Sequence, residues 1–476
     1  MTTDGSARPV RRLRLVAAAR LVVLTVPRMA QRGMFVDGLF YAAVSRNLAA
    51  GQGRLWAPSY SATIYREYFE QPPLGIAIEA AAFRLAGDRP WVERVYSLVM
   101  LGVTALLVGL IWRRFFPWRY DWLPLVFWVA PSIVTWAAVN NMLENTQVVF
   151  TSAAAYAALR ALGAANRPAR AGWSAGAGVL VAVALLVKGP VGAFPLAVPL
   201  CALWLPPASR RGPVSVAAVM AAAIACVALL LSAFPGPRHA FDGYLRTQLS
   251  PVFHHRPAAA VQVVAMLRHL AGGIVARLVV LAGAAWIFRP RSAAPSRPMP
   301  WRAAMCCLSI GLAASAPLAI SPKIAGQYMV PSVPWFALAA AAFALPAVQR
   351  WRGLAARRWS LPALTLAAAA LFVAAGAIPV VHGTLEARDT EMIATMDAVG
   401  REVPRDTVAG TCGAAREDWG LLAYAQRLLR LSLDPGGRPV NGWFLQPKIP
   451  GCAAPPACRP VEPGATAVLL RCDAGG

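Results

Sequence analysis

The sequence predicts an α-helical polytopic membrane protein with a small α/β domain at its C-terminal end. Three observations carry that reading. Mean hydropathy is +0.52, and 58% of the 476 residues are apolar against 14% charged, whereas soluble domains are about half apolar and about a quarter charged. Apolar stretches near the roughly 20 residues that cross a bilayer recur along the chain. Arginines gather in alternate connections between those stretches, with twenty of them in six segments. Examples are Arg11 to Arg14, Arg113 to Arg119, Arg210–Arg211 and Arg350 to Arg358. Short loops rich in Lys and Arg stay cytoplasmic. The formal charge of +25 therefore orients the protein and meets anionic lipid heads, and does not point to nucleic acid.

The expected spans are 14–31, 94–112, 121–138, 147–163, 172–187, 190–206, 214–234, 268–288, 303–320, 328–346 and 360–380, about eleven in all. This places the N-terminus in the cytoplasm and the C-terminus outside the cell (plasma or inner) membrane. The first apolar stretch contains Arg20 and lacks a small-residue cleavage site, so it reads as a retained span whose arginine snorkels. Residues 1–381 form the membrane domain, with long outer loops at 32–93 and 235–267. Within the first loop, Gly38–Leu48 and Gly75–Leu85 read as helices at the membrane interface.

Residues 382–476 form a less hydrophobic tail. Thr390–Glu402 and Asp418–Leu429 read as helices, the second capped by Glu417-Asp418. Thr407–Cys412, Leu429–Leu433 and Ala467–Cys472 read as strands. Of eight cysteines, Cys412, Cys452, Cys458 and Cys472 lie in this tail, where an outside location permits two disulfides. Four cysteines allow three pairings, and the short Ala/Pro gap favours Cys452 with Cys458.

The chemistry-bearing side chains fall on the arginine-poor side. Asp37 opens the first loop, four residues before Tyr41, so the two share a helix face. A carboxylate there serves as a general base or a metal ligand, although spacing alone favours a helix cap beside Gly38. In Tyr68-Phe69-Glu70-Gln71-Pro72-Pro73 the prolines fix the backbone and aim Glu70, or leave it solvated before a helix beginning near Pro73. Glu144 sits between two apolar spans, where a carboxylate is costly unless it faces a polar cavity. Lys188-Gly189-Pro190 breaks an apolar run, leaving an amine that either holds a phosphate or snorkels at a loop.

His254-His255-Arg256 lie in the second loop, with imidazoles able to bind a metal and a guanidinium able to bind phosphate. Arg277 lies inside the eighth span and needs a polar partner. Lys323 and Tyr328 precede Pro331 and Pro334, which disrupt a helix start and open carbonyls to a cavity.

Taken in order, Asp37 with Tyr41, Phe69-Glu70-Gln71-Pro72-Pro73-Leu74, Glu144, Lys188-Gly189-Pro190 and Ser321…Lys323…Tyr328…Pro331…Pro334 resemble the GT-C glycosyltransferases. The likeness is to the protein O-mannosyltransferase and lipid A aminoarabinose transferase branch, over about residues 14–346. It implies a sugar donor on a polyprenyl phosphate and transfer at the outer face to a cell-envelope acceptor, with no nucleotide cofactor.

The resemblance makes Asp37 the first-loop acid and Glu144 the second acid. Lys188, Lys323 and Tyr328 fall in the region meeting the donor phosphate, with Arg256 or Arg277 completing the clamp. Tyr41 and Gln71 line the substrate cavity. It further implies a divalent metal shared by Glu70 with His254 or His255. Two departures stand out: Gly38 occupies a position where many members carry a second acid, and Gln71 one where many carry lysine. The competing reading is a transporter or flippase of lipid-linked sugars without bond chemistry. No pair of matching broken helices in two halves supports it.

Overall fold

The computed structural model describes residues 4–207, 210–250, 259–287, 301–321, 325–354, 360–382, 388–456 and 458–473. Its first part is helical. The elements are α1 (Asp4–Met29), α2 (Val36–Ala49), α3 (Pro73–Ala86), α4 (Val92–Phe115), α5 (Trp122–Trp128), α6 (Ser132–Val139), α7 (Leu143–Gly163) and α8 (Arg167–Lys188). There follow α9 (Val198–Cys201), α10 (Pro213–Ser232), α11 (Pro235–Tyr244), α12 (Ala259–His269), α13 (Ala276–Ile287), α14 (Trp301–Ser315), α15 (Val333–Leu354) and α16 (Ser360–His382). A two-stranded ribbon, β1 (Gly53–Arg54) and β2 (Ala57–Pro58), lies between α2 and α3.

Among the described residues six helical segments are long and apolar enough to cross a membrane, or seven if a bent pair counts as one span. This multi-pass architecture agrees with the sequence reading, although the count of eleven is not reached by that test. Two expected spans differ for a physical reason. The 121–138 stretch is α5 and α6, set at 78° across Pro131, a residue that cannot continue a helix. The 190–206 stretch is a short irregular segment, Pro190–Trp204, in which Pro190, Pro195 and Pro199 break the hydrogen-bond ladder. The core between the spans is built from Ala, Val, Leu and aromatic side chains of α4, α5, α7, α8, α14 and α15. Small residues let helices approach where the surroundings are apolar.

The arginine-bearing ends meet one another. Arg14 and Arg113 both grip Asp121, at 2.7 and 2.6 Å, and Arg211 donates to the Ala165 carbonyl. Glu144 and Arg160 stand at opposite ends of α7, about 24 Å apart at 1.5 Å per residue. The acid and the arginine cluster therefore occupy opposite ends of the bundle.

The C-terminal unit comprises α17 (Thr390–Glu402), α18 (Trp419–Tyr424) and strands β3 (Val408–Gly410), β4 (Ser432–Asp434), β5 (Trp443–Pro447), β6 (Cys458–Pro463) and β7 (Ala467–Cys472). The sheet order is β4-β3-β5-β7-β6, with β3 parallel to β4 and β5 and the other pairs antiparallel. Asp418 caps α18 by accepting from the Leu421 amide at 3.0 Å.

The expected Cys452–Cys458 pairing is wrong. The bridges are Cys412–Cys452 and Cys458–Cys472. Cys458 and Cys472 face each other in the β6–β7 register, with Cα atoms 4.0 Å apart. That fixes the partner of each remaining cysteine.

This unit does not stand apart from the membrane helices. One core combines α2 and α3 side chains such as Leu39, Phe40, Val44 and Ile76 with Met396, Leu421, Tyr424 and Phe444 from the C-terminal unit. Residues 38–48 of α2 are all buried, so α2 is enclosed rather than lying on an interface as its pattern suggested. Buried ion pairs fasten the same junction. Arg427 reaches Glu93 at 2.9 Å and Asp88 at 3.0 Å, Arg430 reaches Asp88 at 3.0 Å, and Arg46 lies 4.0 Å from Asp88. Burial by itself pushes the Asp88 carboxyl up, but Arg427, Arg46 and Arg430 together hold it below the usual carboxylate range.

Candidate active site

Four elements converge on one polar cluster. Asp37 and Tyr41 come from the first turns of α2, and Glu144 from the first turn of α7. Lys188 is the last residue of α8, and Tyr328 lies in the 3₁₀ turn Gly326–Ser332 before α15. Lys188 Nζ lies 3.0 Å from a Glu144 oxygen, with side-chain exposures of only 10% and 1%. The same ammonium donates to the Tyr41 hydroxyl at 3.4 Å, and it sits 5.4 Å from the Tyr41 ring centre and 5.7 Å from that of Tyr328. Breaking such a buried pair strands a charge, so the arrangement is strongly held once formed.

The backbone explains the convergence. Gly189, at φ +81, stops α8 just after Lys188, and a side chain there would strike the Tyr244 hydroxyl of α11. Pro190 follows, so the helix cannot run on. The α2 helix begins after Phe35, whose amide donates to Asn140 Oδ1 at 2.7 Å. A side chain at Gly38 would collide with the Asn140 carbonyl, so glycine lets α2 press onto the connection that leads into α7 and Glu144. Asp37 is not the cap residue. It lies inside the first turn, where a carboxylate is favoured by the helix dipole. The Tyr41 hydroxyl is pushed well above its ordinary pKa by burial and then by Asp37, so it meets the lysine as a neutral phenol.

Glu70 stands beside this cluster. Pro73 starts α3, as the Pro-Pro motif suggested, and Glu70 lies near enough to Tyr65 to help push its phenol up, after burial. Gln71 is half-buried in the same turn. Burial, then Glu70 and Asp37, raises the buried Tyr68 phenol.

The other expected residues divide. Arg277 finds its polar partner in the Ser132 hydroxyl, 3.0 Å away at the start of α6, at the opposite end of that helix from Asn140. His254, His255, Arg256 and Lys323 lie outside the described residues. Among the described residues no three His, Cys, Asp or Glu side chains gather as a cation site would require. The described histidine that approaches the Pro-Pro turn is His239, 2.9 Å from Glu67 and edge-on to Phe69 at 5.1 Å.

Sequence reading missed a buried support behind the cluster. Glu79 accepts from Asn141 at 2.7 Å and from Ser45 at 3.0 Å, and Asn141, at φ +51, also donates to the Gly38 carbonyl at 3.3 Å. Glu79 thus ties the α2 helix bearing Asp37 to Asn141, in the connection that leads into α7 and Glu144. Its signal was present as an acid on the apolar face of α3, and burial pushes its carboxyl up to about 8.

Residues 70–233 match the family model described as dolichyl-phosphate-mannose-protein mannosyltransferase. No curated protein sequence matches the chain. In fold it is similar to ArnT from Cupriavidus metallidurans bound to undecaprenyl phosphate, with TM-score 0.62, 17% identity, and coverage of 97% of this chain and 98% of that one. The apo form of that protein gives 0.61 and 18%, covering 96% and 97%. An Archaeoglobus fulgidus oligosaccharyltransferase gives 0.51 and 12%, covering 87% of this chain and 60% of its own. The chain carries the GT-C fold in the form shared by the protein mannosyltransferase and ArnT branch.

Proposed function

We propose that the protein is an integral membrane glycosyltransferase that moves a sugar from a polyprenyl-phosphate donor to a hydroxyl of a cell-envelope acceptor. The observation carrying this reading is the meeting of Tyr41, Glu144 and Lys188 at the bundle end opposite the arginines, with Asp37 one turn from Tyr41 on the same helix. Undecaprenyl phosphate in the crystal structure of the similarly folded ArnT supports the donor class. The residues 1–381 hold the site, residues 382–476 cover it, and both the site and the C-terminal unit face outward by the arginine rule.

The chemistry follows from the groups present. The acceptor oxygen attacks the anomeric carbon as the carbon–phosphate-oxygen bond breaks, and Asp37 takes the hydroxyl proton. The leaving phosphate carries the electron pair away and is stabilised by the Lys188 ammonium. Glu144 holds that ammonium in place, and the neutral Tyr41 phenol supports it from beside. Arg256 and Lys323 extend the phosphate clamp in this reading, and a metal held by Glu70 with a second-loop histidine would add a further positive charge near it.

The test is a panel of labelled polyprenyl-phosphate sugars given to the purified protein in lipid, with products analysed by NMR. Cleavage of one donor with inversion at the anomeric carbon is expected, falling by about 10²–10⁴ in Asp37→Asn. Full turnover in a folded Asp37→Asn protein would remove Asp37 from the role of base.

A further inference from the structure

The end of the bundle away from Glu144 holds a group of arginines that the reaction does not use. Arg114 lies in the last turn of α4, Arg160 in the last turn of α7 and Arg170 in the first turn of α8. Arg210 and Arg211 come just before α10. The backbone draws them together. The Arg211 amide donates to the Leu162 carbonyl at 2.7 Å, and its guanidinium donates to the Ala165 carbonyl at 3.1 Å. Arg114 reaches the Leu159 carbonyl at 3.5 Å and lies over Gly163, where a side chain would strike it. Arg170 lies over Gly212, whose φ is +55 and where a side chain would meet the Arg170 guanidinium. Arg160 sits 4.9 Å from the centre of the Trp173 ring.

The protein itself accounts for some of these side chains. Arg114 and Arg211 serve carbonyls around the C-terminal end of α7, where the helix dipole favours a cation. Arg170 and Arg210 have no such explanation. Both are half-buried, and the Nε of each is shut away from solvent without a hydrogen-bond partner. A buried charged donor without an acceptor is costly, so such groups are normally paired. None of the five arginines forms an ion pair with a described carboxylate, and Asp121, an acid at this end, is already held by Arg14 and Arg113.

Two further features show what would fit. The start of α10 lies beside Arg170 and Arg211, and Gly212 gives it no side-chain cap. Its first-turn amides have no intrahelical partner, so they add to the positive field of the arginines. Exposed indoles ring the same end, with Trp118, Trp173, Trp204 and Trp301 all open. Indoles favour the level of the lipid head groups. The cluster therefore faces head groups, and a phosphate offers paired oxygens to a guanidinium fork.

We propose that Arg170 and Arg210, with Arg211 beside them, bind the phosphodiester of one anionic phospholipid in the leaflet at this end of the bundle. A zwitterionic phosphatidylcholine carries the same phosphodiester together with its own cation, which the arginines repel. By the arginine rule this leaflet is the cytoplasmic one, where anionic lipids give a negative surface potential. The bound lipid joins the start of α8 to the start of α10 and neutralises like charges that otherwise repel. The site lies at the far ends of α7 and α8 from Glu144 and Lys188, and it does not depend on the glycosyltransferase reading.

The experiment uses the full-length protein, purified in detergent and stripped of lipid. It is titrated with phosphatidylglycerol, with phosphatidylcholine or with inorganic phosphate while its melting temperature is followed. Phosphatidylglycerol is expected to raise the melting temperature saturably, with the other two leaving it nearly unchanged at matched concentration. Arg170→Gln and Arg210→Gln are each expected to raise the half-saturating concentration of phosphatidylglycerol about tenfold, the value of one hydrogen bond to a charged group. Arg119→Gln removes an exposed arginine at the same end but outside the cluster, and is expected to change it less.

Equal weakening in all three variants would reveal only the diffuse attraction of a basic surface for anionic lipid, and would overturn the proposal. An equal rise with inorganic phosphate would overturn it in favour of a free-ion site. No saturable rise with phosphatidylglycerol would overturn it outright. If one glutamine variant does not fold, the other decides, and the comparison of the three ligands on the wild type stands apart from both.

Discussion

Two long segments border the site, and they are held in opposite ways. The first, residues 32–93, is fastened by buried hydrogen bonds from side chains to backbone carbonyls across to the C-terminal unit, by the Arg427–Glu93–Asp88 network and by the shared core. The described residues of the second, 235–250 and 259–267, touch the first through exposed groups. His239 pairs with Glu67 at exposures of 57% and 51%, and Thr247 donates to the Phe69 carbonyl at 3.0 Å. The first segment therefore presents Asp37, Tyr41 and Glu70 as a preorganised wall, the condition for precise positioning of reacting groups. The described part of the second has few buried contacts, and segments of that kind open at low free-energy cost.

The sharpest way to break this contrast is Arg427→Ala. It strands the buried Glu93 and leaves Asp88 to Arg430 and Arg46, so the protein should lose about 3–5 kcal/mol of stability, read as a large drop in melting temperature. A small drop would mean the junction is less rigid than its burial implies.

Glu79→Gln tests the support beneath the first wall. The folded-state pKa of Glu79 lies near 8, far above the unfolded carboxylate range. The folded state therefore binds more protons, and the stabilising contribution is complete below about pH 4. It is lost as pH rises through 8, at no more than about 1.4 kcal/mol per unit. The wild type should melt at progressively lower temperature between pH 5 and 8.5, and Glu79→Gln should flatten that slope. Equal slopes would show that Glu79 is ionised in the folded protein.

Tyr60→Phe removes the hydroxyl that meets the Leu422 carbonyl and should cost about 1–2 kcal/mol, measured by denaturant or heat. At the other extreme, His239→Ala removes an exposed pair and should change stability by less than about 1 kcal/mol. A larger loss there would show that the second segment is fastened as firmly as the first.

Much of this architecture was legible in the sequence. Apolar length and arginine placement gave the multi-pass helical fold, and α17 and β7 lie where periodicity put them. Glu144 stands out in the sequence as a carboxylate that is costly beside apolar spans unless it faces a polar cavity, and Lys188 as an amine in a helix break, and the fold pairs the two. The pairing itself could not be read, because it joins residues 44 apart through the packing of α7 and α8. Long-range contacts hid the rest. Gln426, Ser432 and Leu433 look like ordinary helix and strand residues, and only the fold brings them onto the turn at residues 60–63. The cystine pairing escaped for the same reason: strand register, and not sequence spacing, places Cys458 opposite Cys472. The short strands β5 and β6, rich in proline and bounded by polar turns, gave little periodic signal.

The measurement that tests the account most directly follows a doubly labelled polyprenyl-phosphate sugar in proteoliposomes of oriented wild-type protein and of Asp37→Asn. The account predicts separation of the sugar label from the lipid label on the face bearing the C-terminal unit, lost in the variant at unchanged melting temperature. Both labels crossing the bilayer together, with the glycosidic bond intact, would contradict it and establish a carrier of lipid-linked sugar.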